Sequence, residues 1–285
     1  MDKFFIITNE NKDGASETAA QIRSFIEKNE KSCVNAPELA DLIIVLGGDG
    51  TLLRGVAAHG SLGIPFLGIN LGYLGFLTEV TPLVNSGKNS VEAALQRLFA
   101  NQYDREERMM LTGIVGGENN GEFIDETIFY DKAHVSDNKL ALNDIVIASP
   151  QSVKLIYFSL YVNGVKLTSY VADGLIVSTP TGSTGYNLSA GGPIAPPCAD
   201  IIILTPLCAH SMRSRTIILS ADDEVAVEIE LGKKGEVQTV EAVFDGHYRM
   251  TMKTGERITI TKAMRTTTFV KLSKTNFLET LKEKL

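Results

Sequence analysis

The chain has 285 residues, of which 44% are hydrophobic and 21% charged, a composition that excludes a mostly disordered or collagen-like protein. Its formal net charge of −7 argues against a protein that wraps nucleic acid, because such a protein needs a basic surface. No apolar stretch approaches the length that spans a bilayer, and the first residues do not resemble a secretory signal, so we expect a cytoplasmic protein without a membrane partner.

Residues 1–104 alternate strand-like and helix-like segments. An apolar run at 4–7 predicts a strand, and apolar residues at helical spacing from Ala19 to Ile26 predict the helix that follows. Residues 42–46 are apolar throughout, as expected for a parallel strand covered on both faces. The further elements predicted here are a helix at 51–58, a strand at 64–69 and a helix at 91–99. The alternation predicts an α/β domain over 1–104 with an open, mostly parallel sheet.

Residues 105–269 are rich in Val, Ile, Tyr and Thr and predict a β-rich second domain. The clearest local signal is a hairpin over 159–168. Asn163-Gly164 at its centre permits the positive φ angles that a two-residue type I′ turn requires.

Two further segments have weaker patterns. Residues 116–138 are polar and acidic without clean periodicity, which predicts an irregular insertion or a mobile loop. Residues 276–285 return to a short helical pattern, and we expect the segment 270–285 to pack back on the first domain.

A glycine-rich loop, Gly47-Gly48-Asp49-Gly50-Thr51, joins the buried strand to the following helix. Open α/β sheets place ligands at the carboxyl ends of their strands. Glycines let a phosphate approach the backbone, the helix N-terminus offers N–H donors, and Thr51 adds a hydroxyl. A carboxylate is unfavourable beside phosphate unless it handles a proton or a metal ion, which suggests a base or a magnesium contact at Asp49. The alternative is a tight turn in which Asp49 only caps the helix.

A second block, residues 173–187, is dense in hydroxyls and glycine. Its Ser and Thr side chains could bind ribose, adenine or phosphate, and Tyr186 offers a flat ring with a polar tip. An ordinary solvated loop would have a similar composition.

These two blocks, together with Asn70-Leu71-Gly72-Tyr73-Leu74-Gly75-Phe76-Leu77 and the pair Asn143-Asp144, resemble the NAD kinase family in content and order. Lipid kinases and phosphofructokinases share forms of the first loop, so a related kinase acting on a lipid or sugar remains an alternative. A non-catalytic dinucleotide sensor is another. The resemblance implies an N-terminal α/β domain and a C-terminal β-rich domain, with NAD held in the crevice between them.

The resemblance also implies residue roles. Asp49 would face the 2′-hydroxyl of the adenosine ribose and act as general base, and Asp173 would reach the site of a neighbouring subunit in a homodimer or homotetramer. Gly185 stands where relatives often have Ala. The remaining NAD-binding positions implied are Gly50, Phe76, Asn143, Asp144, Thr184, Gly185, Tyr186 and Ser189, and the phosphate-loop positions are Gly47, Gly48 and Thr51.

The expected phosphoryl donor is ATP or polyphosphate, with Mg²⁺ carried by the donor nucleotide. Neither CxxC nor HExxH spacing occurs, so we expect no metal site built by the protein. Cys33, Cys198 and Cys208 are expected to be buried free thiols. Asp245 resembles a family site position, but Asp-Gly is equally a turn signal, and we leave it out of the predicted site.

Overall fold

The computed structural model describes residues 1–9, 14–71, 75–79, 90–117, 139–151, 154–210, 214–272 and 277–284. The chain divides into two compact units, one formed by 1–108 with 267–285 and the other by 109–266. The predicted fold class is confirmed, since the first unit contains a parallel sheet with helices and the second contains antiparallel sheets.

The first unit is built on parallel strands in the order β2–β1–β3–β4. Its elements are β1 (Lys3–Thr8), α1 (Ala15–Lys28), β2 (Ser32–Cys33), β3 (Leu42–Gly47), α2 (Asp49–His59), β4 (Phe66–Asn70) and α3 (Ser90–Phe99). The predicted helices and strands are confirmed with small shifts at their ends. The last strand begins at Phe66 rather than at residue 64, because Pro65 has no N–H to donate to a neighbouring strand.

Strand β3 lies at the centre of this unit, and all six of its residues are buried. Leu42, Ile44 and Leu46 share an apolar cluster with residues of α1 and α3. On the other face, a Cβ added at Gly55 of α2 would lie 3.3 Å from the Val45 side chain, so helix and strand approach closely there. Burial on both faces fixes the strand and therefore the loop that follows it.

The second unit has two antiparallel sheets. One has the order β12–β11–β10–β7–β14–β15, and the other contains β13, β8 and β9. A single apolar cluster takes residues from both, including Leu175 and Leu204 from the first and Phe158 and Val227 from the second. Its elements are β5 (Asp104–Gly117), β6 (Leu140–Ala141), β7 (Asp144–Ala148), β8 (Ile156–Val162), β9 (Val165–Ala172), β10 (Gly174–Ser178), α4 (Tyr186–Ser189), β11 (Ile201–Leu207), β12 (Ile217–Ser220), β13 (Val225–Ile229), β14 (Thr239–Phe244) and β15 (Tyr248–Lys253).

The predicted Asn-Gly hairpin is confirmed. Val162 pairs with Val165, and the two turn residues have φ angles of 49° and 76°, as a type I′ turn requires. The prediction of irregular structure is wrong for residues 116 and 117, which belong to β5. Residues 118–138 lie outside the described residues.

The last part of the chain belongs to both units. Strand β16 (Glu256–Lys271) pairs with β13 in the second unit, and its Phe269 pairs with Phe66 of β4 in the first. Helix α5 (Phe277–Lys284) follows, and its Phe277 ring lies 6.3 Å from the ring of Phe76. The Lys284 ammonium lies 4.8 Å from the same ring, so this short helix packs on Phe76.

The three cysteines differ in how far they are exposed to solvent. Cys198 and Cys208 are exposed and Cys33 is half-buried, so the prediction of buried thiols is wrong for the two exposed residues. They lie in surface connections, where chain direction rather than packing decides exposure. Across the described ranges, no helix has both the length and the apolar character needed to cross a membrane.

We expect Lys271→Met to lower the free energy of unfolding by about 2 to 4 kcal/mol, because it removes a cation that pairs with a buried carboxylate. Glu79 is 5% exposed, pairs with Lys271 and accepts the N–H of Leu272 at 3.3 Å. The measurement is urea unfolding. Lys262→Met is the matched control, since Lys262 pairs with Asp200 at the surface and should cost under about 1 kcal/mol. Equal losses for the two variants would contradict the prediction.

Candidate active site

The loop after β3 leads directly into helix α2. Gly48 is the N-cap residue in an extended conformation, and Asp49, Gly50 and Thr51 are the first three helical residues. The cap makes no side-chain hydrogen bond. The interpretation of Asp49 as a helix-capping residue is therefore wrong, and its carboxylate has other partners.

The Asp49 carboxylate is held by backbone donors from a distant segment. Phe76 donates its N–H to Oδ2 at 2.8 Å, and Leu77 donates its N–H to Oδ1 at 3.2 Å. The Asp49 side chain is half-buried. Because a donor reaches each oxygen, the plane of the carboxylate is fixed, while Oδ2 keeps a further lone pair.

The glycines of the loop have different surroundings. A Cβ at Gly47 would lie 2.4 Å from Oγ1 of Thr51, so glycine is required there for packing inside the protein. A Cβ at Gly50 would meet nothing within 4 Å, and this residue is exposed. The open backbone of the loop is therefore at Gly50, in the first turn of α2.

A cavity of about 600 Å³ lies beside this helix, at the carboxyl end of β1. Thr51, Arg54, Gly55 and Ala58 line it from α2, at spacings that place them on one helix face. Oγ1 of Thr51 accepts hydrogen bonds from the Asn9 amide at 3.2 Å and from the Arg54 guanidinium at 3.3 Å. The cavity thus combines a cation with hydroxyl and amide groups. The other lining residues are Ile7, Thr8 and His59.

In the second unit, the segment between β6 and β7 is fixed by Asp245. One oxygen of this carboxylate accepts the N–H of Leu142 at 2.7 Å, and the other accepts those of Asn143 at 2.7 Å and Asp144 at 3.1 Å. Asp245 has a φ of 47° and Gly246 a φ of 73°, in the turn between β14 and β15. The turn interpretation of Asp-Gly is correct, and the same aspartate also orients the Asn143-Asp144 pair.

The hydroxyl-rich block holds the same segment from another side. Thr179 donates its N–H to the Asn143 carbonyl at 2.8 Å and its hydroxyl to the Leu142 carbonyl at 2.6 Å. A Cβ at Gly182 would lie 2.1 Å from the Asn143 carbonyl oxygen, so only glycine fits there. The two predicted site segments are therefore packed directly against each other.

Most hydroxyls of this block are buried and make hydrogen bonds within the protein. The side chains of Ser178, Thr179 and Ser183 are fully buried, and each bonds to backbone groups. Asn187 is also fully buried; it donates to the Ser183 carbonyl and accepts from the Thr205 hydroxyl at 2.7 Å. The solvated-loop interpretation is thus wrong for residues 174–183, which form a buried strand and a 3₁₀ turn.

The residues predicted to bind NAD in this block lie at its accessible end. Tyr186 is half exposed, Ser189 is exposed, and Thr184 and Gly185 are partly buried. A Cβ at Gly185 would lie 3.4 Å from the Asn143 amide nitrogen, which places the two residues side by side. Oδ1 of Asn143 is a buried acceptor without a hydrogen-bond partner in the described part of the chain, which leaves it for a ligand donor.

Asp173 does not join this group. Ser178, at one end of β10, pairs with Asp144, whereas Asp173 precedes the other end of the strand. Five residues of extended chain separate these positions by roughly 16 Å. Asp173 is exposed and its N–H bonds to the Leu207 carbonyl at 2.9 Å. A hydrogen bond to Asp173 raises the pKa of the Cys208 thiol.

A buried carboxyl group, Asp144, and a half-buried one, Asp245, lie together at the Asn143-Asp144 segment. Burial raises the pKa of Asp144 to about 7, and the negative charge of Asp245 adds to the effect. Burial also raises the pKa of Asp245, although the three N–H donors oppose it. Because those donors favour a charged Asp245, we assign the proton to Asp144.

Sequence patterns missed two residues of these sites. The Asp-Gly pair is already explained by a turn, so Asp245 is not part of the predicted site. Thr78 has no signal beyond following Phe76 and Leu77. Within the described ranges no group of three or more His, Cys, Asp or Glu side chains is arranged to hold a metal ion.

Two family models match the chain. The ATP-NAD kinase N-terminal domain matches residues 28–103, and the ATP-NAD kinase C-terminal domain matches residues 142–272. The NAD kinase of Lachnoclostridium phytofermentans is 39% identical, over all of this chain and 99% of the relative. That of Geobacter sulfurreducens is 39% identical, over 87% of this chain and 79% of the relative.

Two solved structures share the fold. An NAD kinase from Archaeoglobus fulgidus in complex with ATP has a TM-score of 0.75 at 26% identity, covering all of this chain and 98% of that one. The yeast NADH kinase complexed with NADH has a TM-score of 0.82 at 21% identity, covering all of this chain and 87% of that one.

We expect Asp144→Asn to change how stability depends on pH. The wild-type pKa is raised from 3.8 to about 7 on folding, so the folded protein holds the extra proton and its free energy of unfolding falls as pH rises between these values. The asparagine cannot titrate, so the variant should gain stability relative to wild type across this range, by at most about 4 kcal/mol. Urea unfolding at several pH values measures the difference.

The control for this experiment is Asp222→Asn, which removes an exposed carboxylate from the same unit. Its difference from wild type should change little with pH. If the Asp144→Asn difference were equally independent of pH, the assignment of the proton to Asp144 would be wrong.

Proposed function

Since this chain belongs to the NAD kinase family and is an enzyme of that class, we propose that it transfers the γ-phosphoryl group of ATP to the 2′-hydroxyl of the adenosine ribose of NAD, giving NADP. The observation that carries the proposal is the Asp49 carboxylate, fixed by two backbone donors at the start of a helix that follows a glycine loop.

Asp49 acts as general base. A carboxylate can accept the proton of the ribose hydroxyl. As that proton passes to Asp49, the bond from the ribose oxygen to the γ-phosphorus forms. The bond from phosphorus to the bridging oxygen breaks, and its electron pair leaves with ADP. Phosphoryl transfer is commonly loose, so orientation of the two substrates matters as much as the base.

The second unit holds the nucleoside parts of NAD. Asn143 offers its buried side-chain oxygen, which has no hydrogen-bond partner among the described residues, to a donor of the ligand, and Asp144 offers a carboxyl group. Tyr186 provides an accessible ring for stacking, with Thr184 and Ser189 beside it as hydroxyl groups.

The donor triphosphate lies at the start of α2, over Gly50 and towards the cavity that contains Arg54. The guanidinium supplies positive charge and planar donors, and the helix N-terminus supplies N–H groups. Mg²⁺ carried by the donor would neutralise phosphate charge. Asp49 is the carboxylate beside the proposed phosphate position that could contact such an ion, which takes one or two protein carboxylates with phosphate oxygens.

Asp173 completes the site of a neighbouring copy in a homodimer or homotetramer. Its position at the far end of β10 supports this role, because the side chain cannot serve the Asn143-Asp144 group of its own unit at roughly 16 Å.

The central test is incubation of the purified protein with magnesium, ATP and NAD, with NADP followed by a coupled dehydrogenase. We expect NADP from the wild type and a loss of about 10² to 10⁴ in kcat for Asp49→Asn, because an amide cannot accept the proton. Asp200→Asn, at an exposed carboxylate, serves as control. A folded wild type that makes no NADP would overturn the function, and a folded Asp49→Asn enzyme with normal turnover would overturn the base.

For the donor site, we expect Arg54→Ala to raise the KM for ATP about tenfold or more while the KM for NAD stays within about twofold, because a charged hydrogen-bond donor to phosphate is lost. Initial rates with each substrate varied give both constants. Arg97→Ala removes an exposed arginine from α3 of the same unit and should leave both unchanged. An unaltered KM for ATP in Arg54→Ala would place the donor elsewhere.

A further inference from the structure

The turn formed by residues 75–78 encloses the Asp49 carboxylate. Besides the N–H groups of Phe76 and Leu77, the hydroxyl of Thr78 approaches Oδ1 at 3.5 Å. The same hydroxyl oxygen accepts the N–H of Gly75 at 3.2 Å, which closes the turn on itself. Thr78 is 5% exposed, so its hydroxyl is shielded from water.

Glycine is required at position 75 for space. A Cβ there would lie 1.8 Å from Oδ1 and 2.3 Å from Cγ of Asp49, distances that no real contact allows. Gly75 is not among the glycines with a positive φ, so backbone conformation is not the reason. The carboxylate occupies the volume that any other side chain at this position would need.

We propose that Thr78 is a positioning residue for Asp49, with Gly75 as the residue whose missing side chain makes room for the carboxylate. This inference rests on the proposed function, in which Asp49 is the base. Thr78 closes the turn through Gly75, and the closed turn aims the N–H groups of Phe76 and Leu77 at the two carboxylate oxygens. The remaining lone pair of Oδ2 then points in one fixed direction, towards the substrate hydroxyl.

The orientation of the Asp49 carboxylate affects the rate of the reaction. A carboxylate on the first residue of a helix can rotate about two bonds, and a misplacement of about 1 Å can reduce a rate by about 10². Two donors on two oxygens remove that rotation before the substrate arrives. Loss of the Thr78 hydroxyl loosens the turn without removing either the base or a substrate contact. We therefore expect kcat to fall while the KM values change little.

A purely structural role for Thr78 makes a different prediction. If the Thr78 hydroxyl only linked α2 to the turn, its loss would lower the stability of the protein. That loss would also affect activity whatever side chain stands at position 49. A role exercised through Asp49 disappears when Asp49 is replaced. A double-mutant cycle separates the two roles.

The experiment compares Thr78→Val, Thr78→Ser and Thr112→Val in the same NADP assay. Thr112 is a matched control, since it is 4% exposed and its hydroxyl has no partner within the described residues. We expect Thr78→Val to lower kcat about tenfold or more, with both KM values within about twofold. Thr78→Ser should restore most of the rate, and Thr112→Val should leave it unchanged.

The decisive variant is Thr78→Val combined with Asp49→Asn, whose kcat should equal that of Asp49→Asn alone within about twofold. A further fall of tenfold in the double variant would overturn the proposal in favour of a structural tie. Near-normal kcat in folded Thr78→Val, or no rescue by serine, would also overturn it. Failure of the proposed function is distinct, because the wild type itself would then make no NADP.

Gly75→Ala gives an independent test of the space argument. We expect its kcat to fall to that of Asp49→Asn although the carboxylate is still present, because the methyl group displaces it. Urea unfolding of each variant confirms that the assayed protein is folded. A folded Gly75→Ala enzyme with near-normal turnover would refute the role of glycine, and an unfolded one leaves the Thr78 series to decide.

Discussion

In each unit, backbone N–H groups hold one carboxylate, and the polar residues around it depend on that contact for their positions. Phe76 and Leu77 hold Asp49, while Asp245 receives three N–H groups from the segment 142–144. Charged acceptors make stronger hydrogen bonds than neutral ones, and buried N–H groups left without an acceptor are costly. Each aspartate therefore fixes a distant stretch of chain, and the stretch in turn fixes the carboxylate.

The hydroxyl-rich block shows how composition and position differ. Inside the second unit, hydrogen bonds join the hydroxyls of Ser178, Thr179 and Ser183 to backbone carbonyls. Tyr186 and Ser189 remain accessible at the end of the same block. The buried hydroxyls build a rigid base for the accessible ones. The positions of the accessible residues thus depend on polar side chains that are buried beneath them.

Local patterns predicted the fold class, β3, α2 and the Asn163-Gly164 hairpin, because periodicity and turn chemistry act over a few residues. The role of Asp245 could not be read in this way, since its partners lie about a hundred positions earlier in the chain. Thr78 was missed for the same reason, being 29 residues from Asp49. The burial of Ser178 and Thr179 could not be predicted either, because serine and threonine occur both in exposed loops and in buried positions.

The return of β16 into the first unit bears on the order in which the protein is made. Phe269 pairs with β4, and Lys271 neutralises Glu79, but both leave the ribosome only after the whole second unit has been synthesised. Until then β4 has an unpaired edge that can attract other strands. A translation product that stops before residue 267 therefore contains the glycine-rich loop in an unfinished sheet, and such a fragment should be a substrate for chaperones and proteases.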